Sequence, residues 1–94
     1  MGDLRSRAAD FFRLPCTLSA GDGPILELIR RYSAGEPWDD PELQNELSTC
    51  IRTAQAKAAR PAPATYPELD AWHFYQRAAA LLQEIRAEVS EERS

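Results

Sequence analysis

The chain has 94 residues, enough for one small domain with a modest core. Its 15 acidic residues outnumber 11 basic ones, giving a net charge of −4 and an isoelectric point near 4.9. That balance argues against nucleic-acid binding and against docking on an anionic membrane, since both rest on Lys and Arg neutralising phosphates.

No run approaches the roughly 18 apolar residues of a membrane-spanning helix, and no apolar stretch of a secretion signal follows Arg5 and Arg7. The expected location is therefore cytoplasmic. The two cysteines, Cys16 and Cys50, are then expected to be reduced thiols, Cys50 on the inner face of a helix and Cys16 in a loop. Lys57 is the one lysine among the 11 basic residues, and the abundance of Arg and Ala suggests a bacterial source.

Residues 1–13 contain Leu4, Ala8, Phe11 and Phe12 at helical spacing, with Asp3 as a candidate N-cap. So short a helix is marginal in water, so its two phenylalanines must dock on the body of the chain or on a partner. Residues 14–23 read as a loop: Pro15 opens it, and Gly21-Asp22-Gly23 closes it as a turn and helix cap rather than a phosphate-binding loop. Pro24 opens a helix over 24–34. Ile25, Leu28, Ile29 and Tyr32 share one face, Arg30 and Arg31 suit the C-terminal dipole, and Gly35 takes the left-handed end position.

The next segment, Glu36-Pro37-Trp38-Asp39-Asp40-Pro41-Glu42, holds four acids and no base. Its pattern predicts a helix start: Asp39 or Asp40 as cap, Pro41 in the first helical position and Trp38 folded back as a hydrophobic staple. The functional alternatives are an acidic recognition patch for a basic partner and a divalent-cation site, though the segment lacks the pattern of a calcium loop. The predicted third helix covers 41–59, with Leu43, Leu47, Cys50, Ile51, Ala54 and Ala58 on its inner side and its bases late. Pro61-Ala62-Pro63-Ala64 breaks it into a stiff extended link.

The longest predicted helix covers 66–90. Thr65 and Glu68 form a capping-box pair, and Pro67 sits in the first turn. Leu69, Trp72, Tyr75, Ala78, Ala79, Leu82, Ile85 and Val89 make one apolar row, and Phe74, Ala78, Leu81 and Ile85 a second beside it. A face this wide predicts packing against two neighbours. Glutamates at 88, 91 and 92 oppose the dipole there, so fraying is expected after about Val89.

Chemistry has few footholds in this chain. His73 is its only histidine, with Asp70 and Arg77 as helical neighbours; one His and two distant Cys do not supply the ligand spacing of a zinc site. No calcium-loop, di-iron or DNA-reading helix-turn-helix pattern occurs. No metal or cofactor is expected.

Glu36-Pro37-Trp38, a following helix, then Thr65-Tyr66 and Trp72 loosely resemble the helical N-terminal part of nitrile hydratase beta subunits and related accessory proteins, over about half the chain. The Pro-rich link stands where that family has an aromatic pattern, and no functional residue is carried over.

The sequence thus predicts an all-α fold, a three- to four-helix bundle, antiparallel or irregular, forming a single domain over 1–94. The expected function is that of a small non-enzymatic accessory subunit binding another protein, or itself as a homo-oligomer, through a helical face. Interface candidates are Phe11, Phe12, Trp38, Asp39, Asp40 and Trp72, because aromatics amid polar residues are typical interface anchors. The alternative is a ligand-binding protein or small enzyme with a pocket near Trp72, His73 and Tyr75.

Overall fold

The structure, a computed structural model, describes residues 4–14, 17, 23–66 and 68–93. Among these residues there are four helices and no strand: α1 (Leu4–Phe11), α2 (Gly23–Ser33), α3 (Pro41–Ala58) and α4 (Glu68–Arg93). Asp3, Cys16, Asp22 and Pro67, to which the sequence assigned cap, loop and first-turn roles, lie outside the described residues.

Three helix ends show a local cause. Gly35 at φ 79° ends the turn after α2, its N–H bonding the Tyr32 carbonyl at 3.0 Å while the Glu36 N–H reaches the Arg31 carbonyl at 3.1 Å. These are the paired bonds of a Schellman motif, which needs a left-handed residue that glycine adopts without penalty. Asp40 caps α3: in extended backbone (φ −86°, ψ 123°) it accepts the Glu42 N–H at 2.9 Å, with Pro41 just inside the helix. At the start of α4 the Thr65 hydroxyl donates to the Glu68 carboxylate at 3.4 Å, so the two side chains expected to serve backbone N–H groups meet each other. The far end of α4 continues to Arg93, beyond the fraying point at Val89 that its glutamates suggested.

The architecture is an α3–α4 hairpin with an α1–α2 pair laid on it; α3 with α4, and α1 with α2, make the most extensive contacts. The hairpin sets the long dimension of a 43 × 25 × 21 Å molecule. Its registration is visible in side chain to backbone bonds near the turn: Gln76 Nε2 donates to the Ala58 carbonyl at 2.7 Å, and Trp72 Nε1 to the Arg60 carbonyl at 2.8 Å. The small residues late in α3 thus lie where α4 comes close, and Ala54 is fully buried.

One continuous core joins all four helices. Its largest fully buried members include Ile25, Leu28 and Ile29 from α2, Leu47 from α3, and Phe74, Leu82, Ile85 and Val89 from α4. The wide face expected on α4 is present but shifted toward its C-terminal side. Phe74, Ala78, Ala79, Leu81, Leu82, Ile85 and Val89 are buried, whereas Leu69, Trp72 and Tyr75 are only half-buried. α1 docks on its own chain, with the Phe11 ring 5.5 Å from that of Phe74 and Arg7 donating to Glu84 at 3.0 Å.

Candidate functional site

The aromatic residues separate into two groups. Phe11 and Trp38 are 4% and 7% exposed, so these two expected interface anchors belong to the core instead. Phe12 is half-buried and packs edge-on against Phe11, their ring centroids 6.4 Å apart. Trp38 is folded back against Tyr32, with ring centroids 6.5 Å apart, and its carbonyl accepts from Gln44 Nε2 at 2.7 Å. That closure leaves no indole face outside.

The acidic segment is also partly committed within the chain. Arg30 and Arg31 approach Glu36 at 3.5 and 3.9 Å, and the Asp40 carboxylate caps α3. Asp39 stays exposed, with Asp40, at the start of the same helix.

Trp72 and Tyr75 take the other course and line a groove of about 300 Å³ at the α3–α4 turn. The groove follows from the turn's chemistry. Pro61 cannot continue α3, so the chain leaves as an extended link carrying Pro61 and Pro63, and both line one wall. The indole N–H of Trp72 is tied to the Arg60 carbonyl, which fixes the ring at the edge of this link. Ala71, small and on the same helix, lines the groove beside them.

Charge enters from three residues: Lys57, Arg60 and Glu68. The Lys57 ammonium lies over the Tyr75 ring, 5.0 Å from its centroid, a cation–π contact that holds the cation beside the apolar wall. Next to the groove in sequence stands Tyr66, 70% exposed and the single large apolar side chain so exposed among the described residues.

His73 does not join this site. It is exposed, its ring meets Trp72 edge-on at 5.1 Å, and it is not part of the groove lining. The pocket expected from Trp72, His73 and Tyr75 is thus formed by the first and last, with Lys57, Arg60 and the two prolines replacing the histidine. Among the described residues no cluster of three or more His, Cys, Asp or Glu is placed to hold a metal ion.

Two further depressions, one of about 300 Å³ beside Arg7 and Leu14 and one of about 480 Å³ beside Pro24 and Cys50, adjoin in sequence the stretch 15–22. The groove at the α3–α4 turn is bounded by described residues, with Pro67 alone outside them nearby in the sequence.

The sequence contained a signal for the groove that single-residue reasoning missed. Between Lys57 and Tyr75 it places two bases, two link prolines and three exposed-capable aromatics, Tyr66, Trp72 and Tyr75, in one short span. No protein-family model matches the chain, and no curated protein and no solved structure is significantly similar to it. The loose likeness to nitrile hydratase beta subunits therefore carries no family assignment.

Proposed function

We propose that this chain is a small non-enzymatic accessory subunit that binds a segment of another protein in the groove at the α3–α4 turn. The observation that carries the reading is the concave wall of Trp72, Tyr75, Pro61 and Pro63 with Tyr66 standing exposed on the same link. Exposed aromatic surface around a concavity, rimmed by charge, is the usual composition of an interface centre. Of the other aromatics assigned to an interface from sequence, Phe11 and Trp38 serve the core and Phe12 packs half-buried at its margin, which leaves the groove as the carrier of this proposal.

Light scattering coupled to size exclusion on the natively purified protein tests it, with co-eluting species identified. A stable complex that is lost on Tyr66→Ala with Tyr75→Ala, while circular dichroism retains the helical signal, is the expected result. A lone 10.5 kDa species would overturn the reading. No helix among the described residues is long and apolar enough to cross a membrane.

A further inference from the structure

Charge chemistry narrows what the groove can hold, an inference that rests on the partner-binding reading above. Arg7, Arg13, Arg30 and Arg31 each have a carboxylate within 4 Å. Among the described residues Lys57 and Arg60 have none, as is also true of Arg52, Arg77 and Arg86, but Lys57 and Arg60 are the two that stand together in this groove, although the molecule as a whole is acidic. Both line the groove, and Lys57 is held against the Tyr75 ring. The opposing carboxylate, Glu68, is itself engaged by the Thr65 hydroxyl.

Two backbone acceptors at this end are engaged too: the Ala58 and Arg60 carbonyls take the Gln76 amide and the Trp72 indole. What the groove offers is therefore an apolar wall beside two cations lacking carboxylates. We propose that its occupant is an extended acidic peptide segment of a partner protein, one apolar side chain lying between Trp72 and Pro63 and carboxylates meeting Lys57 and Arg60. A basic segment would meet two like charges, and a neutral proline-rich one would leave both cations unmatched.

The probe is a blocked peptide of repeating Glu-Leu-Pro, compared with its Lys-Leu-Pro counterpart. Each is titrated into the full chain carrying Trp38→Phe, which leaves Trp72 as the sole fluorophore of its kind. The acidic peptide is expected to shift Trp72 emission saturably and to weaken as salt rises, since screening acts on partly exposed charges. Lys57→Ala with Arg60→Ala is expected to weaken it roughly fivefold or more, in the range two partly exposed ion pairs supply. Equal or tighter binding of the basic peptide, no response to the acidic one, or a concentration-dependent dimer blocking the groove would each overturn the inference. Should the double variant fail to fold, the comparison of the two peptides on the Trp38→Phe chain still decides. A native complex that depends on Tyr66 and Tyr75 but ignores the acidic peptide would reject this occupant and leave the partner-binding reading standing; a partnerless native chain would reject that reading itself.

Discussion

Trp38 shows at the scale of one residue why a sequence underdetermines a site. Between acids and prolines, an indole facing solvent and an indole folded back have the same local pattern. What decides is the Gln44 amide six residues on, which bonds the Trp38 carbonyl and closes the segment over Tyr32. Burial leaves the indole N–H with no acceptor among the described residues. A buried unpaired donor costs about 1–3 kcal/mol, so Trp38→Phe, which removes both the donor and some apolar area, is expected to change stability by no more than about 1 kcal/mol. Trp38→Ala, which opens a cavity, is expected to cost about 3–5 kcal/mol. Urea unfolding followed by circular dichroism measures both, and equal losses would show that the indole N–H is satisfied. Gly35 gives a second residue-scale test. A Cβ there would meet only the Arg5 guanidinium, at 3.6 Å and beyond, so space is not the obstacle. The positive φ is, and Gly35→Ala is expected to cost about 1–2 kcal/mol, read in the same unfolding experiment.

Helices α2 and α3 were legible as elements because their ends are written in side chains: Gly35 in the left-handed position, Asp40 as cap, Pro41 behind it. The predicted spans 24–34 and 41–59 differ from the observed ones by a single residue at the ends that changed. The ends of α4 were harder to read. Its C-terminal glutamates oppose the dipole, but Val89 is buried and the helix runs on to Arg93; packing of a long helix outweighs a few tenths of a kcal/mol of exposed charge. Within α2 the charges are organised around Glu27, whose carboxylate accepts from Arg30 at 2.7 Å and Arg31 at 3.3 Å. The hydrogen bonds from Arg30 foremost hold its pKa down to about 2, against an ordinary 4.5. A carboxyl lowered on folding adds stability above its unfolded pKa, and that contribution fades as pH falls from about 4.5 toward 2. Glu27→Gln is therefore expected to flatten the acid limb of the stability profile over that window, by a small amount because the group is exposed. Thermal melts of both proteins at stepped pH check this; parallel acid limbs would show that the α2 network does not contribute.

At the scale of the whole molecule, the class of fold was readable and the assembly was not. The 3.6-residue periodicity identifies faces, but nothing in it says that α1 crosses to α4, or that Ala71, Trp72 and Tyr75 stay half-buried in the groove while Phe74, Leu82, Ile85 and Val89 close the core. Those outcomes depend on which faces meet, and the α1 contact is the clearest case. Phe11 is 4% exposed and lies against Phe74, a ring with no exposure at all, while Phe12 sits at the margin of the core. Because α1 is a layer of this core, Phe11→Ala removes a fully packed ring and is expected to cost about 3–5 kcal/mol, whereas Phe12→Ala gives up only part of its burial and is expected to cost roughly 1 kcal/mol. The Arg7–Glu84 pair alone would not hold the helix, being about half exposed on both sides and in the class that adds little. Glu84→Gln is accordingly expected to leave the midpoint of unfolding nearly unchanged at neutral pH. The same ranking of Phe11 above Phe12, measured by denaturant unfolding with an unchanged slope, would establish that α1 belongs to this core. Equal and small effects would mean that its phenylalanines face a partner, and the groove at the α3–α4 turn would then be one of two interfaces on the molecule.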